Sequence, residues 1–155
     1  MDLSHIKPFI EATHQVFETM LDCVPQRGKV RPGDRRNGTP HRTALIGLSG
    51  TVRGAVAIRF PADTAVNASR RLMQADGEVG DADIADALGE IANMVSGCAK
   101  AKIDGQDISI SLPTVVGGDA YHLEHPRGSV TLDVPFGSPL GEFTVSVTLS
   151  STDSQ

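Results

Sequence analysis

Two residues, an acid and an amide, have the types and spacing to act together. Glu90 and Asn93 lie in the stretch DADIADALGEIANMVSGCAKAKI, whose apolar period predicts a long helix from about Asp81 to Lys102. At about 100° per residue, Ile84, Leu88, Ile91, Val95 and Cys98 share one face, which is expected to pack on a sheet. Asp86, Glu90, Asn93 and Gly97 fall on the opposite side as one continuous stripe. Residues three apart on a helix are surface neighbours, so the carboxylate and the amide point together into solvent. The amide can donate to one atom and accept from another, whereas the ionised carboxylate only accepts. Taken alone, an E-x-x-N spacing on an exposed face is also what ordinary surface residues give.

Two glycines add to this pattern. Glycine inside a helix costs roughly 1 kcal/mol against alanine. Gly89 and Gly97 both sit within the helix. Close approach of another backbone is the simplest reason for each. The underlying sheet would be the neighbour at Gly89, and a partner protein the neighbour at Gly97.

Other reactive side chains form no comparable pattern. Cys23 and Cys98 are the only cysteines and lack CxxC spacing. Both fall in apolar, helix-like segments and read as buried thiols without electropositive neighbours. His122 and His125 are spaced to share a metal but have no third ligand in sight, so no metal site is expected. The stretch PQRGKVRPGDRRNGTPHR is rich in Arg, Gly and Pro. It could hold a short edge strand around Lys29 to Arg31 and then a mobile loop. Its cations either dock an acidic partner or protect an exposed edge.

The elements that must position the stripe follow from periodicity and breakers. Ile6, Phe9, Ile10, Val16, Phe17, Met20 and Leu21 predict a first helix, with Pro8 in its first turn and its end before Pro25. TALIGLSG and TVRGAVAIRF read as a hairpin turning at Ser49-Gly50. ADTAVNASRRLMQ reads as a short helix closed by Asp76-Gly77. After the long helix come strands ISISLPTVV, GSVTLDVPF and GEFTVSVTLS, the last half-buried through Phe143, Val145, Val147 and Leu149, and then a frayed tail STDSQ. The expected class is α+β, one domain over 1–155, with a mostly antiparallel sheet packed against the long helix and two further helices. At 155 residues the chain can bury a real core. A net charge of −5 argues against nucleic acid, and no apolar run approaches the length of a membrane helix. Charges within MDLSHIKPFIEATH argue against a signal peptide, so a cytoplasmic location is expected.

The segment DALGEIANMVSG, with Asp86, Glu90, Asn93 and Gly97, resembles the motif of the CheC/CheX phosphatase family, which reads close to DALGEIxNMxxG. KPFIEATHQVFETML is similar to that family's first helix, ALIGLSGTVRGAVAIRF to its central hairpin, and SLPTVVGG to the strand and loop after the long helix. Order and spacing agree from about Lys7 to Leu149, while the Arg-rich loop and the tail depart. CheC carries two copies of the motif. Here Glu11-Ala12-Thr13-His14 and Glu18-Thr19-Met20-Leu21 both lack the closing asparagine, which favours the single-site CheX arrangement.

The resemblance implies a CheC-like fold and a phosphatase acting on the aspartyl phosphate of a CheY-like response regulator. It implies that Asn93 positions the attacking water, that Glu90 pairs with the regulator's active-site lysine, and that Asp86 and Gly97 contact the partner. No cofactor is expected on this chain, and Mg²⁺ is expected in the regulator. A homodimer joined along sheet edges is also implied, with the strand near Val145 as a possible edge. The alternative is a non-catalytic module that binds or scaffolds the regulator.

Overall fold

The computed structural model describes residues 3–33, 41–103, 107–118 and 128–150. The first helix, α1 (Leu3–Met20), buries Ile6, Phe9, Ala12, Val16 and Phe17. Pro8 lies beyond its first turn, not in it. A proline there has no N–H to give to the preceding turn, so α1 forgoes one hydrogen bond. Two very short strands follow, β1 (Gln26–Arg27) and β2 (Arg31–Pro32), then the hairpin β3 (His41–Gly50) and β4 (Arg53–Pro61). Helices α2 (Ala62–Met73) and α3 (Asp81–Ala101) come next. Strands β5 (Ile108–Ile110), β6 (Thr114–Gly118), β7 (Val130–Gly137) and β8 (Phe143–Ser150) complete the described chain.

The eight strands form one antiparallel sheet in the order β1-β7-β8-β4-β3-β5, with β2 also on β7 and β6 also on β3. Strand alternation sends Ala44, Ile46 and Leu48 of β3, Val56, Ile58 and Phe60 of β4, and Phe143, Val145 and Val147 of β8 into one core with the helices. Phe143 is the centre of an aromatic stack, with Phe17 at 4.5 Å, Phe136 at 5.1 Å and Phe60 at 6.1 Å between ring centres. The stack joins α1 to three strands. No helix among the described residues is long and apolar enough to cross a membrane.

Several expectations change at this level. The basic edge strand is two strands, and Lys29 lies between them. Arg27 opposes Phe136 and Arg31 opposes Asp133, so one extra residue bulges out of the edge. Pro135 of β7 has no N–H to donate here, and its carbonyl instead accepts from Gly28 N at 2.7 Å. ISISLPTVV is likewise two strands. Leu48 opposes Ile110 and Leu45 opposes Thr114, which again leaves one residue over. Ser111 makes the break, its N–H donating to Gly47 O and its Oγ accepting from Gly47 N at 2.8 Å. Helix α2 closes at Gln74, which is left-handed at φ 53°, ahead of Asp76-Gly77. The loop at 34–40, His122, His125 and the tail lie outside the described residues.

The strand near Val145 is not an edge. β8 lies between β7 and β4, and Val145 is 1% exposed. Nor is β8 half-buried, because Ser146 and Thr148 on its other face are also buried. The hydroxyl of Ser146 donates to Asp133 Oδ1 and accepts from Arg59 Nη2 at 2.8 Å, so this buried polar face is hydrogen-bonded.

Ile91 is fully buried and Asn93 is exposed. Ile91→Ala is expected to cost about 2–5 kcal/mol, and Asn93→Ala no more than about 0.5 kcal/mol. Urea unfolding of the two variants checks this, and collapse of the Asn93→Ala protein would mean the helix is rotated from the orientation described.

Candidate functional site

Helix α3 rotates about its axis as its sequence predicts. Ile84, Leu88, Ile91 and Val95 are buried, together with the alanines at 87, 92 and 99, which let the helix approach its neighbours closely. On the other side Asp86, Glu90 and Asn93 are exposed and Gly97 is half-buried. Their helical positions form a single stripe, with Glu90 and Asn93 one turn apart. The one member of the expected apolar face that departs is Cys98. It is only partly buried at the margin, with its thiol 3.4 Å from Gln15 Oε1 of α1.

The ends of α3 hold the stripe in place. Asp81 and Asp83 lie in its first turn and Lys100 in its last, which matches charge to the helix dipole at both ends. Gly80 begins the helix without a side-chain cap. Arg42 of β3 instead donates to Asp81 Oδ1 at 2.6 Å and ties the first turn to the sheet. That pair is largely exposed and contributes little stability, but it marks where the helix starts.

The two glycines separate by environment. A Cβ at Gly89 would stand 3.3 Å from Pro113 Cγ and 3.5 Å from Val115 Cγ2, so the sheet edge is what needs glycine there. A Cβ at Gly97 would meet nothing within 4 Å. Packing among the described residues therefore gives no reason for Gly97. Beside Pro113, Leu112 is 87% exposed, the most exposed large apolar side chain among the described residues. Sequence reasoning passed over it, since a lone leucine in a run read as one strand carries no signal. Its exposure follows from the break between β5 and β6.

The thiols differ from expectation too. Arg71 of α2 donates to Leu21 O at 2.8 Å and stands near Cys23, so that thiol does have a cationic neighbour. Burial still dominates and raises the Cys23 pKa, with Arg71 opposing and Asp22 adding to the rise. Cys23 is an inert packing residue. Among the described residues no three His, Cys, Asp or Glu side chains gather as metal ligands.

A family profile for the chemotaxis phosphatase CheX matches residues 42–137, a span that includes the whole stripe. The chain belongs to the CheX family. It is 25% identical over 122 residues to the CheY-P phosphatase CheX of Thermotoga maritima, covering 76% of this chain and 78% of that one. Its fold matches a crystal structure of the chemotaxis protein CheX from Desulfovibrio desulfuricans at TM-score 0.85 and 29% identity, over 96% of this chain and 100% of that one. The CheX–CheY–BeF3–Mg²⁺ complex from Borrelia burgdorferi shares the fold at TM-score 0.81 and 23% identity, over 97% of this chain and 100% of the matched chain.

Two outcomes follow from these environments. Gly97→Ala is expected to stabilise by up to about 1 kcal/mol through helix propensity, whereas Gly89→Ala should have a lower urea midpoint than Gly97→Ala because its Cβ would press on Pro113. The raised pKa of Cys23 means the folded state holds the thiol proton more tightly than the unfolded chain. Its contribution is therefore complete below the ordinary thiol value of about 8.5 and is lost as pH rises through the folded pKa. Wild type should lose stability relative to Cys23→Ala as pH rises above the ordinary thiol value of about 8.5, read as urea midpoints across the alkaline range. Parallel slopes for the two proteins would count against this.

Proposed function

We propose that this chain accelerates hydrolysis of the aspartyl phosphate of a CheY-like response regulator, with Asn93 and Glu90 as its acting residues. The observation that carries the reading is the joint exposure of Glu90 and Asn93 on a helix fixed by burial, in a chain of the CheX family. Phosphoryl transfer depends on positioning and charge stabilisation more than on covalent chemistry. Asn93 holds a water in line with the leaving carboxylate oxygen. Its amide can donate and accept, and it adds no negative charge beside the phosphoryl oxygens. Glu90 pairs with the lysine of the regulator's phosphorylation site and so sets the register of Asn93. Mg²⁺ belongs to the regulator and neutralises charge there.

Asp86 and Gly97 flank this pair and complete the docking stripe. The open space at Gly97 lets a partner backbone approach closely. Leu112, next to the proline that packs on Gly89, adds an apolar contact at the rim. CheY-like regulators act in the cytoplasm, and the same location is proposed for this protein.

The decisive experiment follows phosphate loss from a labelled regulator over a range of regulator concentrations, with binding of an unreactive phosphoryl mimic measured in parallel. Asn93→Ala should lose turnover by about 100-fold or more, by analogy with other water-positioning residues, with mimic binding kept. Glu90→Ala should weaken binding as well as slow hydrolysis, and Glu90→Gln should fall between. Full turnover in Asn93→Ala would leave a binding or scaffolding module as the correct description.

We also propose a homodimer formed through β6. At the opposite end of the sheet Arg27, Lys29 and Arg31 are exposed, and a symmetric pairing would set like charges together. The strand TVVGG of β6 carries no charge and lies at the other edge. Sedimentation at micromolar concentration should give twice the chain mass, and Val116→Lys should halve it. A wild-type monomer under those conditions would defeat the assignment.

A further inference from the structure

A cavity of about 250 Å³ lies behind the C-terminal half of α3. Its walls are mostly apolar and include Pro8 and Phe9 of α1, Leu48 of β3 and Ile108 of β5. Ser96 of α3 also lines it, and Lys100 and Lys102 lie on the same side. Ser96 is 1% exposed, and its Oγ has no hydrogen-bond partner among the described residues. This is unusual for the protein itself. Thr13, Thr19 and Ser69 on the helices each donate to the carbonyl four residues back, and Thr64 of α2 donates across to Glu142 O. Ser96 makes no such bond to Ala92. A buried hydroxyl without a partner is costly, and a ligand in the cavity would supply one.

We infer that this cavity binds a small amphiphilic carboxylate, with an apolar body of six to ten or so carbons. The body lies against Phe9, Leu48 and Ile108. The carboxylate accepts a hydrogen bond from Ser96 Oγ and faces the ammonium groups of Lys100 and Lys102. No acidic side chain lines the cavity among the described residues. The C-terminal end of α3 disfavours an anion, but its partial charge is smaller than two full ammonium charges. The volume exceeds the roughly 150 Å³ that suffices for benzene in an apolar protein cavity. The inference concerns binding alone and does not depend on the roles assigned to Glu90 and Asn93.

The test titrates the full chain with straight-chain carboxylates from butanoate to dodecanoate, and with octanol as the uncharged control. Calorimetry gives the affinities, and methyl NMR gives the location. Affinity should rise about fourfold per methylene, from the transfer free energy of that group, and then level off once the chain fills the cavity. Octanoate should shift the methyls of Leu48 and Ile108 selectively. Ser96→Ala should weaken octanoate about tenfold. Lys100→Gln combined with Lys102→Gln should weaken octanoate while leaving octanol unchanged. Ser96→Leu puts a branched side chain into the cavity and should weaken both. Binding that never saturates, or methyl shifts elsewhere than the cavity walls, would overturn the inference. So would undiminished octanoate affinity in Ser96→Ala, a variant small enough to fold even where Ser96→Leu does not.

Discussion

Burial of one face of α3 against the sheet is the constraint on which the rest of this structure depends. Ile84, Leu88, Ile91 and Val95 are at most 4% exposed, and alanines at 87, 92 and 99 bring the helix close to its neighbours. Rotating the helix by one residue toward its acidic side would put Asp83 and Glu90 where Ile84 and Ile91 are now buried. Burying an unpaired carboxylate costs several kcal/mol, and exposing an aliphatic side chain costs about 1.5–3 kcal/mol each. The helix therefore has one acceptable rotation. The outward stripe is the remainder of that choice, and its side chains stand on an element more rigid than a loop.

The surrounding elements serve the same seat. The Phe143 stack couples α1 to the middle of the sheet, so the face that receives α3 is itself fixed. Arg71 ties α2 to the chain leaving α1 through the carbonyls of Leu21 and Asp22. Arg42 reaches from β3 to the first turn of α3. The charges along α3 also agree with its dipole, since Asp81, Asp83, Asp86 and Glu90 lie in its first half and Lys100 in its last turn.

Both sheet edges are interrupted, each with a proline close to the break. One residue bulges between β1 and β2 opposite Pro135, and another between β5 and β6 just before Pro113. Breaks of this kind make an edge a poor template for uncontrolled pairing. The second has a local effect as well, because it sets Pro113 against Gly89 and leaves Leu112 in solvent.

Local pattern was enough for much of this molecule. The 3.6-residue period fixed the extent of α3 and the stripe of Asp86, Glu90, Asn93 and Gly97, because one helix has only one apolar face to bury. Alternation and turn residues gave the β3–β4 hairpin, and the motif around Glu90 and Asn93 gave the family. Strand order was out of reach, because it depends on pairings between residues distant in the chain. Thus Phe143, Val145 and Val147 alternate as a half-buried edge would, yet β8 lies between β7 and β4 and hydroxyls cover its second face. The bulges at Gly28 and Ser111 depend on which strand lies opposite. The cationic neighbour of Cys23 comes from a helix 50 residues further along, through the contact of Arg71 with Leu21. The unsatisfied hydroxyl of Ser96 and the cavity beside it exist only where α1, α3 and the sheet meet, since a void belongs to the packing of several elements and to no one segment of sequence.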